Sequence, residues 1–395
     1  MIRVGTGVSE NHSFEKAALE ATARALEEAG LVKADVLLLF AALKDCKRWP
    51  GLLKKIKALA GTETVVGNSA FGILTREAEV EQRPGVAVMA FEGGGRDSLF
   101  PFRIPNLQEN SFRAGVALSS LFRDRDFTPS LAMIFPDAFS FQHGPFFDGF
   151  ESESGFLPFV GGCASEPGGE DKTFQWMNHK FSVDSIAGIA FGENFEFEIG
   201  ITQSCQPLGE PVRVTRSQGN MIFEIEGRPA YDIFLELITE LRFEDSREIF
   251  HRLFLGLPLT SFQTEFNHSR YLVRNIMGVN AKKGVLACAS RVEQGNYVTF
   301  ALRDPLKAKE DMTRMLEDLG ERAGGRRPAF GLYFNCCARG SSLYGTFGED
   351  TALIKEYFPG LPLAGFFSFG EIAPVEEVNH LHHYSGVLAL GFEKS

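Results

Sequence analysis

Ala329-Phe-Gly-Leu-Tyr-Phe334, running into Asn335-Cys-Cys-Ala-Arg-Gly340 and then, past a helix-like segment, Pro362-Leu-Ala-Gly-Phe-Phe-Ser-Phe-Gly-Glu371, is the stretch on which the fold turns. The first six residues read as an apolar strand, and the polar and small residues behind them end it. The second segment repeats the order, an apolar run closing on Ser368, Gly370 and Glu371. A polar loop with Asn379-His-Leu-His-His383 follows, and Gly386-Val-Leu-Ala-Leu-Gly-Phe392 reads as a last strand. Glycines at strand ends let the backbone turn or approach a neighbour closely, and binding residues concentrate in such connections.

The same order occurs twice earlier. Asp35-Val-Leu-Leu-Leu-Phe40, Thr64–Gly72 and Gly85–Phe91 form one set; Ser130–Phe135, Pro158–Glu166 and Ile186–Phe191 form another. Phe40 to Gly67 is 27 positions, Phe135 to Gly161 is 26, and Phe334 to Gly365 is 31. Like separations of like elements indicate an internal repeat. The expectation is an α/β fold with mixed sheets of the α+β kind, a layered sandwich built from about three β-α-β-β repeats. Ser13 and Gly30 bracket a helix with Phe14, Ala18, Ala21 and Ala25 on one stripe. Further helices are expected near Leu52–Leu59, Leu107–Phe122 and Asp311–Leu319. Between the second and third copies the pattern changes. Phe195–Ile201 alternates like a strand, Val212–Arg216 and Met221–Ile225 suggest a hairpin, and Pro229 opens a helix with Ala230, Phe234, Leu237 and Leu241 on one face. Tyr271–Met277 and Gly284–Ala289 read as additional strands.

The bulk numbers exclude some classes. The net charge of −11 argues against a general nucleic-acid surface or an anionic membrane surface. No apolar run approaches the roughly 20 residues that span a bilayer, and no opening segment reads as a signal peptide. Phenylalanine stands out at 38 copies, against 7 Tyr and 2 Trp, and most of these rings read as core. The cysteines (Cys46, Cys163, Cys205, Cys288, Cys336, Cys337) lack CxxC or zinc-finger spacing, so reduced thiols and a cytoplasmic setting are expected.

Several side chains invite chemistry. Arg339 offers a planar fork to a carboxylate or phosphate, or else a salt bridge to Glu371 or Asp350. Glu371 suits an amine or Arg339 itself. Cys336 and Cys337 lie near Arg339, which lowers a thiol pKa; Cys336 as a nucleophile needs a base from His380, His382 or His383. His380 and His382 share a face if their segment is extended. They suit a divalent metal with a third ligand from Glu376, Glu377 or Cys336, or one axial haem contact; the simpler reading is a surface loop. Cys163 and the scattered His12, His143, His179, His251 and His268 read as structural. Gly93-Gly94-Gly95 and Gly161-Gly162 lack the nucleotide-binding frames.

Asn335-Cys336-x-x-Arg339-Gly340, Pro362-x-x-Gly365-Phe366-x-Ser368-x-Gly370-Glu371-Ile372-x-Pro374 and the His-rich segment before the last strand resemble the FIST family of bacterial sensory domains. Val66-Gly67-Asn68-Ser69-Ala70-x-Gly72, Gly161-Gly162 and Pro207-Leu208-Gly209 with Val214-Thr215 are similar to the FIST-N motifs. Glu226-Gly227-x-Pro229-Ala230 resembles the start of the FIST-C half. The resemblance spans roughly residues 30–392, with Ala373 standing where the pattern has glycine. It implies a FIST-N-like domain over 1–226 with two repeat copies and a FIST-C-like domain over 227–395 with the third. It also implies a small-molecule sensor in signal transduction, with an amino acid or related metabolite as ligand. With no effector domain attached, output would pass to a separately encoded histidine kinase or other signalling protein.

The ligand is expected between the two halves, held by Asn68, Ser69, Asn335, Cys336, Arg339, Gly365, Ser368, Gly370 and Glu371, with Arg339 and Glu371 facing a shared hollow. No cofactor, metal, nucleic acid, membrane or catalytic step is expected. The alternatives are a haem-based nitric oxide sensor, as implied by some relatives, and a hydrolase or transferase using Cys336 with His380.

Overall fold

Each sequence copy becomes a longer series than the strand–helix–strand–strand unit expected, because a strand and a helix precede it and a short hairpin interrupts it. The computed structural model describes residues 2–42, 49–93, 98–168, 171–243, 246–260, 263–266 and 270–394, with 246 and 247 described through their backbone only. Cys46, His268, Gly94 and Gly95 lie outside the described residues. The first copy runs β1 (Arg3–Ser9), α1 (Phe14–Ala29), β2 (Val36–Ala42), α2 (Trp49–Ala60), β3 (Thr64–Ser69), the hairpin β4 (Gly72–Thr75) and β5 (Glu79–Glu81), and β6 (Gly85–Glu92). The second runs β7 (Leu99–Pro105), α3 (Ser111–Asp124), β8 (Pro129–Pro136), α4 (His143–Ser154), β9 (Phe159–Gly162), the hairpin β10 (Gln175–Met177) and β11 (Lys180–Ser182), and β12 (Ser185–Gly192).

The third copy opens with β13 (Phe195–Gln203) and is then interrupted. The inserted segment contains β14 (Cys205–Gln218), β15 (Met221–Ile225), β16 (Arg228–Pro229), α5 (Ala230–Leu241), α6 (Ser246–Arg252), β17 (Leu253–Pro258), β18 (Tyr271–Asn280), β19 (Val285–Cys288) and β20 (Tyr297–Arg303). The copy resumes with α7 (Pro305–Ala323), β21 (Phe330–Cys336), α8 (Ser341–Tyr344), α9 (Glu349–Tyr357), β22 (Leu363–Ser368), the hairpin β23 (Glu371–Val375) and β24 (Val378–His382), and β25 (Ser385–Glu393). The His-rich segment is therefore a strand for most of its length. Contacts divide the chain into two compact units: Met1–Ile201 with Thr313–Leu381 and Ser385–Ser395, and Thr202–Met312 with His382–Tyr384.

The first unit holds three six-stranded sheets, ordered β1-β6-β2-β3-β10-β11, β7-β12-β8-β9-β23-β24 and β13-β25-β21-β22-β4-β5. Each has a parallel pair at its centre: β2 with β3, β8 with β9, and β21 with β22. The hairpins are exchanged in a ring. The first copy's hairpin closes the third sheet, the second's closes the first, and the third's closes the second. Exchange covers a sheet edge that would otherwise present unpaired backbone groups.

The central strands are buried on both faces, which is why they read as continuous apolar runs. Leu38 and Phe40, Met133 and Phe135, and Leu332 and Phe334 point into one common core. Leu37, Leu39 and Ala41 pack instead against α1 and α2. Equivalent phenylalanines meet inside: Phe40 and Phe135 lie 5.3 Å apart and Phe135 and Phe334 6.0 Å. Two copies place a phenylalanine late in the closing strand, Phe91 and Phe191; the third has Gly391 there. Phe330 fills that space, since a Cβ on Gly391 would meet its ring at 2.3 Å. Phe330 packs 5.1 Å from Phe91 and 5.5 Å from Phe191.

Gly67, Gly161 and Gly365 answer to one another for a steric reason. A Cβ built on each would stand 1.7, 2.0 and 1.8 Å from the carbonyl oxygens of Leu39, Ile134 and Tyr333 on the neighbouring parallel strand. Real side chains do not fit there. Helix α4 takes the helical place of the second copy although Gly144, Pro145 and Gly149 are poor helix formers. Gly149 is a contact point, where α4 comes so close to Phe112 of α3 that a Cβ would lie 2.1 Å from its carbonyl oxygen.

The second unit is a seven-stranded sheet ordered β14-β20-β17-β18-β19-β15-β16. Its hairpin β14–β15 leads through Pro229 into α5, as the sequence suggests. Val214, Ile222, Leu253, Leu255 and Leu286 form a core with Ala230 and Phe234 of that helix.

Candidate functional site

Strands β21 and β22 are parallel, so their carboxyl ends lie side by side and Cys336 registers against Ser368. Open α/β sheets take ligands at such ends. The chain turns at Phe369 and Gly370, and Glu371 opens β23, opposite Gly162 of β9. Glu371 is wholly buried. It accepts hydrogen bonds from the Ser368 hydroxyl at 2.5 Å, the Ser385 hydroxyl at 2.7 Å and the Ser385 amide at 3.3 Å. Burial pushes its carboxyl up to about 7, against the pull of the two serines.

The repeat supplies two reference corners. Gln175 opposite Asn68, and Ile73 opposite Phe366, occupy the place of Glu371 in the other two sheets. Ser185 and Gly85 occupy the place of Ser385 at the start of the closing strands. The Ser185 hydroxyl donates to Gln175 Oε1 at 3.2 Å. A Cβ on Gly85 would lie 3.2 Å from Ile73 Cγ1, so that corner is apolar. Acid with serine, amide with serine, and aliphatic with glycine are three versions of one geometry.

Arg339 is wholly buried and pairs with Asp350, through Nε to Oδ2 at 3.0 Å and Nη2 to Oδ1 at 2.8 Å. Asp350 also accepts from Tyr344 Oη at 2.8 Å, Tyr333 Oη at 2.9 Å and Asn335 Nδ2 at 3.0 Å. Burial alone would raise the Asp350 pKa, but the guanidinium and these donors hold it below its ordinary value. Likewise burial acts to lower the Arg339 pKa, and the Asp350 charge and hydrogen bond, together with Tyr344 and Tyr333, more than reverse this. The hairpin received from the first copy brings two further buried acids. Glu79 accepts from the amides of Gly348 and Thr351, at 3.0 and 2.9 Å, at the start of α9. Glu81 accepts from the Ser341 amide at 2.9 Å and its hydroxyl at 3.1 Å. Burial and the Asp350 charge push Glu79 up to about 7.

The turns after β3, β9 and β22 are laced together. The Ser69 hydroxyl donates to the Ser165 carbonyl at 3.0 Å, and the Phe71 amide donates to the Ser165 hydroxyl at 2.7 Å. That hydroxyl donates in turn to the Phe367 carbonyl. The Cys163 amide donates to the Gly370 carbonyl at 2.8 Å. Asn68 donates to the Ser69 carbonyl at 2.8 Å, while its buried Oδ1 has no hydrogen-bond partner among the described residues. Phe139 and Phe369 are exposed, with ring centres 6.3 Å apart.

Of the residues singled out in the sequence, Ser368, Gly370 and Glu371 share one corner, and Asn335 and Arg339 share the Asp350 network. Ser69 reaches the corner turns through Ser165. Sequence reasoning missed Ser385, Ser165, Tyr344, Glu79 and Glu81. Ser385 was within reach, since Ser185 opens the matching strand of the second copy. Burial pushes the Cys163 and Cys337 thiols up, so neither is held as a thiolate near neutral pH. Cys336 is buried at the end of β21, His380 is half-buried in β24, and His382 is buried. Among the described residues no group of three or more His, Cys, Asp and Glu is placed to hold a metal ion. Ala373 is buried in β23 as part of the common core.

A mixed α/β scaffold of three like copies with one acidic corner is the class of protein these features define. The chain belongs to the FIST family: the FIST N domain matches residues 35–228 and the FIST C domain matches 230–374, in tandem. FIST domains are sensory domains of signal transduction. An uncharacterized protein of Mycobacterium tuberculosis (strain ATCC 25618 / H37Rv) is 26% identical over 389 residues, covering 98% of this chain and 99% of the relative. One from Mycobacterium bovis is 25% identical over 389 residues, covering 98% of each. Among solved structures, a chorismatase aligns with TM-score 0.34 and 7% identity over 99% of this chain and 98% of its own. A cyanuric acid hydrolase aligns with TM-score 0.32 and 8% identity over the whole of both chains. Among the described residues no helix is long and apolar enough to cross a membrane.

Proposed function

We propose that this chain is a FIST-type sensor that binds a small polar metabolite, an amino acid or a close relative, in the cytoplasm and signals to a separately encoded partner such as a histidine kinase. One observation carries the reading: of three geometrically equivalent corners, only the third holds an acid, Glu371, where the others hold Gln175 and Ile73. A carboxyl pushed up to about 7 is neutral or ionised at little cost, so an arriving ammonium group decides its state. Ionisation would redistribute the bonds from Ser368 and Ser385, and those serines end β22 and begin β25, the two strands that flank β21. Ser368, Gly370 and Glu371 form the proposed contact set, with Asn68 and Ser69 in the adjoining turns. Asn335 and Arg339 meet at Asp350, and the Arg339 charge acts on Glu371, while Cys336 registers against Ser368 at the end of the parallel strands and Gly365 against Tyr333 within them.

The test is a thermal-shift panel of the twenty amino acids and their decarboxylated amines at pH 7, on the protein and on Glu371→Gln. A ligand at a hundred times its dissociation constant stabilises by about 2.7 kcal/mol. At least one ligand bearing an ammonium group is expected to shift the protein, with affinity at least about tenfold weaker in Glu371→Gln. A panel that shifts nothing, or equal affinity in the variant, ends the reading.

A further inference from the structure

At the other end of β21 and β22 the first unit carries a groove that the corner chemistry does not use. Its volume is about 510 Å³, within the size range of small-molecule sites. It lies where α7 gives way to β21 and where α9 gives way to β22. Gly324 and Gly325 take left-handed conformations, φ 58° and 80°, and carry the chain off the end of α7. Ala323, Phe358 and Leu361 are the buried members of the lining and form its floor; Tyr357, Pro328 and Pro359 stand around them. Nothing lies within 4 Å of where a Cβ on Gly320 or Gly325 would sit, so the groove is open on those sides.

Two arginines line it, and they differ. Arg326 is already engaged: it pairs with Glu196 at 2.6 Å and Glu198 at 3.2 Å, and lies 4.6 Å over the Phe392 ring. Arg327 makes no ion pair or hydrogen bond among the described residues. Its Nη2 lies across Gly360, 3.1 Å from where a Cβ would be, and Gly360 has φ 77°. A longer side chain at 360 would crowd the guanidinium, so this glycine keeps the fork clear. An apolar, partly aromatic floor beside one uncommitted guanidinium fits a flat apolar body that ends in a carboxylate.

We propose that this groove is a second binding site, for small aromatic or flat apolar carboxylates, with Arg327 as the residue that holds the carboxylate. The site is independent of Glu371, because its residues come from the opposite ends of the same strands.

The test uses three near-isosteric probes, benzoate, benzamide and benzamidinium, in ligand-observed NMR titrations of the full chain. Benzoate is expected to bind at least about tenfold more tightly than benzamide, and benzamidinium least, because only the anion meets the fork. Arg327→Ala should remove the benzoate preference, and Arg327→Lys should keep part of it as a point charge. Arg327 is exposed, so the variants should fold, and unchanged circular dichroism and melting will establish that they do. Equal binding of benzoate and benzamide, or a benzoate preference that survives in Arg327→Ala, would overturn the proposal. Glu371→Gln should leave benzoate binding unchanged, so this site and the acidic corner fail or stand separately.

Discussion

The first and third copies share a backbone plan and differ in where their ion pairs lie. In the first, the acid's position is taken by Ile73 beside Gly85, and an ion pair lies outside, where Lys55 of α2 meets Glu15 of α1 at 2.5 Å with both side chains more than half exposed. In the third, Arg339 and Asp350 pair at 2.8 Å with neither exposed, and Glu371 is buried nearby. A scaffold that tolerates an apolar corner in one copy does not need a polar one for folding. The buried charges of the third copy are therefore specialised, and their energetics should differ from those of the first copy in kind as well as size.

The largest effect should come from breaking the buried pair. Asp350→Ala leaves the Arg339 guanidinium, and the donors from Tyr344, Tyr333 and Asn335, without their acceptor. Removing one partner of a buried pair costs about 3–5 kcal/mol, because the remaining charge is uncompensated. Urea unfolding at pH 7 measures it. A loss below about 1 kcal/mol would mean that the pair behaves like a surface one, and the contrast between the copies would collapse.

A smaller effect, visible only as a pH dependence, should come from Glu371. Its folded pKa lies above the ordinary carboxyl value of 4.5, at about 7. The folded state thus binds the proton more tightly than the unfolded chain, and this contribution is full below about pH 4.5. It is lost as pH rises through 7. A difference of that size between the folded and unfolded pKa corresponds to a swing of about 3 kcal/mol at most. Glu371→Gln should remove that swing, so the stability difference between variant and parent should move in the variant's favour from pH 4.5 to pH 8. Glu79, also at about 7, stays in both proteins and cancels in the difference. The second copy already contains this substitution in natural form, Gln175 beside Ser185. A pH-independent difference would show that burial does not perturb Glu371.

The repeat was legible because its landmarks are residues with few alternatives: a phenylalanine one or two residues before the end of each inner strand and a glycine where a Cβ would strike a carbonyl. The ring exchange of hairpins was not, because β4 and β5 are short and pair with a sheet far along the chain, which leaves no local period. The long insertion between β13 and α7 likewise kept the helices expected at Ser13–Gly30, Leu107–Phe122 and Asp311–Leu319, and the strand at Phe195–Ile201, from being read as parts of the repeat. Arg339 had two acids open to it from sequence alone. Asp350 won because α9 directs it back toward the end of β21, while Glu371 is satisfied by serines on either side. The His-rich segment drew attention by composition, whereas the residue that completes the corner is Ser385, just beyond it.

The smallest effect belongs to the first copy. Lys55 and Glu15 join α1 to α2 across water, and an exposed pair is worth about 0–1 kcal/mol because solvent screens it and two long side chains are immobilised. Lys55→Ala should therefore cost less than about 1 kcal/mol, and that cost should fall as salt is raised toward 1 M, where the screening length is only about 3 Å. The Asp350→Ala penalty should barely respond to the same salt, since ions do not reach a pair with no exposed surface. Equal salt sensitivity of the two variants would place Arg339 and Asp350 in contact with solvent, and the third corner would then be an ordinary surface with the first copy's electrostatics.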